Sequence, residues 1–525
     1  MKQKKIIRSA GIVSGFTSLS RLLGLVRDVL MASFFGTTLV MDVFVAAFTV
    51  PNLFRRLFGE GALSSALVPV LVETREKEGD GAAWALVNRV LCLLAVVLTL
   101  ITAAVILFAA NASPESAKAA EVLSLLQIMM PYMIFICLAA VSMAILNSFH
   151  HFAVSSFAPS ILNLLWIGAL LFVVPTIGNS PEEKIRVVAW AILLAGFLQW
   201  AVQWPVLCHF GWRLRPVSGE SKELTNQKVK KILCLMGPAA LGMAVLQVNV
   251  LIDRFLALWV GGGATSALYF SERLIYFPLG IIATALGTVL LPVFSRHAAR
   301  NDQQQIREGV TDGLRHLLFI MIPASIGLLV LAHPIVQMIF EWGVFDSGST
   351  WMTSIALQCY APGLVIFSLA KVFVPAFYAQ QDTKTPVKIG LIAVALNLAL
   401  NITFVLTLPQ PVKHAGIAFA TVLSSVFNMS CLALILQRRI GNLNWKRVGA
   451  TAARSLGAAA LMASTVLFVF NLFPAAGDES AESIGKVGQT ISVLVSIAAG
   501  GGVYLLASIL FRAPELREFF KAGRR

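Results

Sequence analysis

Charge is scarce in this chain. Asp, Glu, Lys and Arg together make up 13% of the 525 residues, while 58% are hydrophobic. Soluble globular chains carry about a quarter charged residues, so a water-soluble fold has nowhere to put this much apolar side chain. Cysteine is also sparse. Cys92, Cys137, Cys208, Cys234, Cys359 and Cys431 lie in or beside apolar stretches, with no CxxC or Cys/His ligand spacing. That excludes a recognisable metal site or disulfide framework and leaves small packing residues. No GxxxxGK[ST] phosphate loop is present, which argues against direct ATP drive. There is no HExxH or GxSxG, and the longest polar loop, about 211–231, is too short for a catalytic domain. A transporter rather than an enzyme is expected, with no cofactor and no metal.

Acidic residues are fewer than basic ones, giving a net charge of +15. The cations sit in short loops between apolar runs, the pattern of an oriented membrane protein rather than a nucleic-acid binder. Runs of eighteen or more apolar residues recur from end to end, each long enough to cross a bilayer core of roughly 30 Å. The expected fold is an all-α polytopic membrane protein of about fourteen transmembrane helices. They are placed near 10–36, 39–72, 83–110, 121–147, 154–175, 186–210, 229–259, 264–295, 314–341, 350–379, 386–408, 413–436, 448–473 and 487–512. Pro51 and Pro278 fall inside two long segments and predict bends. The basic N-terminal stretch from Lys2 to Lys5 resembles a signal peptide, but Arg21 and Arg27 break the apolar run behind it, which reads as a retained first helix. One set of loops holds 28 lysines and arginines and the alternate set 5. The positive-inside rule then puts both termini in the cytoplasm.

The chain echoes itself. The string from Ala62 to Val70 (ALSSALVPV) resembles that from Ala285 to Val293 (ALGTVLLPV), and Asp28 followed by Gly36 resembles Asp253 followed by Gly261. The implied halves are 1–220 and 221–440, two six-helix lobes of the same orientation, with an extra helix pair at 441–525. Transporters built from repeats place substrate between them.

Ionisable side chains at bilayer depth cost at least about 2.5–3.5 kcal/mol each, and so mark function by default. In the first span Ser14, Thr17, Arg21, Gly24 and Asp28 step by three and four along one helix face, with Arg27 beside them. The second span carries Asp42, Thr49, Asn52, Arg55, Arg56 and Glu60, with an Arg56–Glu60 pair expected. The seventh carries Asn249, Asp253 and Arg254, and the eighth Ser266, Tyr269, Glu272, Arg273 and Tyr276. A central cavity lined by these four spans is the simplest assembly. Arginine keeps its charge at any working pH and grips phosphate oxygens in bidentate fashion, so Arg27, Arg55 and Arg273 suit a diphosphate. The carboxylates Asp28, Asp253, Glu60 and Glu272, and Arg56 with them, read as structural ion pairs or as a place for a coupling cation.

The strings Ser20–Asp28 (SRLLGLVRD) and Pro51–Ala62 (PNLFRRLFGEGA), continuing to Pro69, closely resemble the MurJ (MviN) family of lipid II flippases, of the multidrug/oligosaccharidyl-lipid/polysaccharide exporter superfamily. The resemblance covers nearly the whole chain. It implies two pseudo-symmetric lobes plus two C-terminal helices forming a groove for the undecaprenyl tail, alternating access, and residence in the bacterial inner membrane. It places the family's cavity arginines on Arg21, Arg27, Arg55 and Arg273, and its cavity aspartate on Asp42. The partners it implies are lipid II, membrane lipids and the cell-wall synthesis machinery. Many relatives carry a carboxylate three residues after the span-eight arginine. Here that residue is Tyr276, which puts a coupling role for the position in doubt. The rival readings are a drug or O-antigen exporter of the same superfamily, a membrane glycosyltransferase, and a non-transporting divisome scaffold.

Overall fold

Backbone N–H and C=O groups have no water to bond inside a bilayer, so long apolar runs must satisfy them internally as helices. The computed structural model describes residues 2–59, 62–149, 151–178, 180–213, 221–473, 485–516 and 518, without the side chains at 2–14, 59, 62, 65, 221–224, 238–239, 241, 246 and 485. Among the described residues there are helices and no strands. They are α1 (Lys2–Phe35), α2 (Leu39–Phe54), α3 (Ala62–Asn111), α4 (Ala117–Ser148), α5 (Ala153–Gly168), α6 (Pro181–Ala201), α7 (Trp204–His209), α8 (Ser221–Val260) and α9 (Ala264–Pro278). There follow α10 (Thr284–Ala299), α11 (Gln303–Val330), α12 (Ala332–Phe340), α13 (Ser347–Ala379), α14 (Lys384–Thr407), α15 (Lys413–Ile440), α16 (Trp445–Asn471) and α17 (Gly485–Leu510).

Among the described residues, 12 stretches of helix are long and apolar enough to cross a membrane. The fourteen-span expectation also counted α1 and the segment 39–72, which are not among them. The reason for α2 is local: it stops after 16 residues at a single π turn, Arg55–Gly59. Pro51 removes a backbone donor just before that turn. The same device recurs where α9 ends at Pro278 and passes through the π turn Leu279–Ala283 into α10. Both expected bends are therefore present, and each π turn directly precedes one of the two echoed strings. Gly79, at φ 85°, breaks α3 into two lengths. Many bulky apolar side chains point outward, Phe108, Phe172, Leu406 and Leu510 among them; such a surface suits lipid rather than water.

The chain forms two compact units, Met1–Thr265 and Ser266–Arg525. In the first, α4 packs against α2, α3 and α6, α1 lies on α5, and α8 lies on α3 and α2. By contacts α8 thus groups with the first unit, although the sequence echo assigned it to a lobe beginning at 221. In the second, α13 is the hub for α10, α11, α12 and α15, while α16 docks on α11 and α17 on α16.

The connection between α8 and α9 is the turn Gly261-Gly262-Gly263, all with positive φ. At Gly263 an added Cβ would lie 2.3 Å from the Thr37 carbonyl oxygen, whereas at Gly262 it would meet nothing within 4 Å. The chain after α17 is fastened by Glu515, which is fully buried. Its Oε1 accepts from Arg315 Nη2 at 2.7 Å, Arg315 Nε at 3.0 Å and the Thr451 hydroxyl at 2.6 Å. Arg315 also meets Asp312 at 2.9 Å. Burial pushes the Glu515 carboxyl up, but the Thr451 hydroxyl, a backbone N–H and Arg315 outweigh it and hold it below its ordinary value.

Two predictions follow from these local facts. Glu515→Ala removes the buried member of the carboxylates around Arg315 and should cost about 1.5–3 kcal/mol, the scale of hydrogen bonds to a charged group, read as a lower unfolding midpoint in detergent. Because the folded carboxyl titrates below its unfolded value, the stabilisation in the unsubstituted protein is complete above the ordinary pKa of about 4.3 and is lost as pH falls through the lower folded value. Gly263→Ala should destabilise clearly more than Gly262→Ala, which meets only the φ penalty of about 1 kcal/mol; the comparison of midpoints checks it.

Candidate functional site

In the first unit the site is organised around Arg27 on α1. Arg27 is 9% exposed and its neighbour Asp28 3%. Their pairing is intimate: Asp28 Oδ1 accepts from Arg27 Nη2 at 2.7 Å and from Nε at 3.1 Å. Arg27 Nη1 donates to Asn163 Oδ1 at 2.9 Å. The guanidinium lies 4.6 Å from the centroid of the Trp166 ring, a cation–π contact that favours the charge without neutralising it. Trp166 is itself fixed, its indole N–H donating to Met31 Sδ at 3.1 Å and its ring meeting Phe44 and Phe48 edge to face. Asn163 and Trp166 belong to α5, which the sequence reading left out of the site. A lone asparagine among apolar residues, three before a tryptophan, was the available signal.

Arg21 and Thr17 are exposed on the same helix, while Asp28 turns inward. The predicted polar stripe is therefore split between an outward and a buried part; Ser14 lies outside the described side chains. At the end of α2, Arg55 donates from Nε to Asn52 Oδ1 at 2.8 Å, one turn back. Both are half-buried. Arg56, opening the second step of the π turn, donates to Gln247 Oε1 of α8 at 3.2 Å. The Arg56–Glu60 pair cannot be placed, because Glu60 lies outside the described residues. Thr49 bonds its own helix through the Val45 carbonyl.

Asp42 is completely buried. Its Oδ2 accepts the backbone N–H of Gly263 at 3.0 Å, so the carboxylate serves the three-glycine turn at the start of α9 rather than lying on an open polar face. On α8, Asn249 donates to Asp253 Oδ2 at 3.4 Å, and Arg254 donates to the Thr265 carbonyl at 3.4 Å. Asp253 and Arg254 are both buried.

In the second unit, Glu272 and Arg273 are half-buried on α9. Glu272 Oε1 accepts from the Tyr360 hydroxyl of α13 at 3.2 Å. The Arg273 guanidinium lies 4.4 Å from the centroid of the Tyr269 ring. Ser266 is buried and Tyr276 is exposed. Arg27 and Arg273 thus share a treatment: each is carried on the face of an aromatic ring. Away from these groups, α11, α16 and α17 line an open apolar pocket of about 490 Å³. Phe319, Pro323, Gly327, Met462, Val466 and Tyr504 are among its lining residues. Tyr504 stitches its floor by donating to the Phe319 carbonyl at 2.6 Å.

Such an arrangement can do binding rather than bond chemistry. Arginines whose charge is retained and whose planes are held by rings and amides are ready acceptors of an oxyanion.

Comparison with known proteins agrees with this geometry. The family model described as "Lipid II flippase MurJ" matches residues 31–486. A probable lipid II flippase MurJ from Vibrio cholerae is 38% identical over 444 residues, 82% of each chain. A solved structure of the lipid II flippase MurJ in an inward closed conformation superposes with a TM-score of 0.76 at 26% identity, over 95% of this chain and 98% of that one. An inward-facing multidrug resistance transporter of the MATE family, in the MOP superfamily, shares the fold at a TM-score of 0.61 and 15% identity, over 82% of this chain and 98% of that one. The spans, the buried arginines and the match over most of the length converge: this chain belongs to the MurJ family of lipid II flippases.

Proposed function

We propose that this multi-pass membrane protein moves lipid II, the undecaprenyl-diphosphate-linked sugar-pentapeptide, from the cytoplasmic to the periplasmic leaflet of a bacterial inner membrane by alternating access. No bond is made or broken, so the activity is transport and not catalysis. Family membership supports the substrate. The observation that carries the mechanism is the state of the arginines. Arg27 is buried against the Asp28 carboxylate, the Asn163 amide and the Trp166 ring face, and Arg273 lies over the Tyr269 ring. Arg27 and Arg55 of the first unit and Arg273 of the second are the proposed diphosphate ligands, with Arg21 and Asn52 as further polar contacts for the head. Asp28 and Glu272 hold the cationic helices in order when substrate is absent, while Asp42 holds the Gly263 turn and Asp253 pairs with Asn249 within α8. The apolar cavity between α11, α16 and α17 supports the reading of 441–525 as part of a groove for the polyprenyl tail. Its lining is almost entirely hydrocarbon and about 490 Å³ in volume. The loop cations support an orientation with both termini in the cytoplasm. The cell-wall synthesis machinery, which consumes the flipped product, is the proposed protein partner.

Depleting the protein in its host should accumulate lipid II facing the cytoplasm and end in lysis; accumulation of a different lipid-linked glycan would transfer the assignment to another exporter of the superfamily. In reconstituted vesicles, Arg27→Lys, Arg55→Lys and Arg273→Lys should each lower flipping about ten-fold or more, since a point charge replaces a bidentate fork worth roughly 1.5–3 kcal/mol. Full activity in all three would refute the proposed grip.

A further inference from the structure

We propose that Asn163 is a positioning residue for the substrate-binding arginine: a neutral acceptor that aims the Arg27 guanidinium while leaving its charge for the ligand. The inference rests on the reading of Arg27 as a diphosphate grip, and it adds a residue on a helix that the polar stripes of the sequence did not include.

The geometry is specific. Asn163 is 6% exposed. Its Oδ1 accepts from Arg27 Nη1 at 2.9 Å, and its Nδ2 donates to the Ser20 carbonyl of α1 at 3.0 Å. The Ser20 hydroxyl is also within reach, at 3.5 Å. An arginine offers only donors and a carbonyl only an acceptor, so the amide has one permitted orientation. Gly24 is the near neighbour of this amide on α1: a Cβ there would lie 3.9 Å from Nδ2, an ordinary packing distance. One turn further along α5, Trp166 covers the face of the same guanidinium. Helix α5 therefore holds Arg27 by an edge and by a face.

Asp28 and Asn163 do different things for Arg27. The Asp28 oxygen carries a full negative charge and must be exchanged when a diphosphate arrives. The amide oxygen carries none, so it can stay bonded while the phosphate oxygens replace Asp28. Other side chains at 163 lose part of this. Aspartate keeps the acceptor, adds a second charge and loses the donor to Ser20. Alanine and leucine lose both bonds. The consequence is a guanidinium pre-aimed at low entropic cost, the usual source of affinity from preorganisation.

The test uses the full chain in nanodiscs, with lipid II as the probe, reading equilibrium affinity and the thermal unfolding midpoint. Asn163→Ala should weaken lipid II binding about ten-fold, the scale of one charge-assisted hydrogen bond. In an Arg27→Lys background the same substitution should weaken it less than about two-fold, because lysine has no fork to aim. Equal losses in both backgrounds, following the midpoint, would show that Asn163 only ties α5 to Ser20, and would overturn the proposal. Asn163→Asp supplies a second arm that needs no Arg27 variant: it should bind more weakly than Asn163→Ala without a lower midpoint, and equal binding would also overturn it. The underlying reading fails separately, if Arg27→Lys alone binds lipid II as tightly as the unsubstituted protein.

Discussion

An ionised side chain in hydrocarbon must be answered by neighbours on its own scaffold, and the proposed function gives two kinds of answer: arginines that hold the fold and arginines that meet a ligand. Arg315 shows the first kind. Asp312, Glu515 and Glu518 all lie within 4 Å of it, and the Thr451 hydroxyl completes the cluster. Such a site is fully neutralised and ties the chain after α17 to α11 and α16. Arg27 shows the second kind. Its partners include the Asp28 carboxylate, the Asn163 amide and the Trp166 ring face. Arg273, on the Tyr269 ring beside a Glu272 engaged by Tyr360, follows the same logic in the other unit. A cation stabilised in part by polarisable and neutral groups keeps its pull on an arriving anion.

Much of this was legible in the residues. The helices follow from apolar length, because nothing else satisfies a backbone in lipid, and the two bends follow from Pro51 and Pro278. The arginines stood out for their cost at bilayer depth. What the pattern could not give was phase. A three-and-four stepping stripe assumes one continuous α-helix, and the π turn at Arg55–Gly59 shifts the register partway along the second polar face, after Asn52. Arg56 accordingly reaches Gln247 on α8. Nor does a stripe tell inward from outward. Thr17 and Arg21 are exposed, whereas Asp42 is sealed against the Gly263 amide. Asn163 escaped notice because one amide in an apolar helix has no periodicity to reveal it; only its hydrogen bond to Arg27 gives it meaning.

The C-terminal helices illustrate the complementary case, in which composition speaks and specificity comes from packing. Helices α16 and α17 read as ordinary apolar spans. In the structure they line with α11 an open pocket walled almost wholly by carbon, while the polar groups that fasten them are gathered beyond it. Glu515, Arg315 and Thr451 lock the chain after α17 to α11 and α16. Lys486, at the start of α17, donates to the Glu341 carbonyl and lies over the Trp342 ring. Polar ends and an apolar middle allow a long hydrocarbon chain to lie along the helices without meeting an uncompensated dipole.

The most direct measurement is an experimental structure of the protein with lipid II bound. The account predicts diphosphate oxygens within hydrogen-bond distance of the Arg27 guanidinium, with Asp28 displaced from it. A diphosphate bound elsewhere, with the Arg27–Asp28 pair intact, would contradict it.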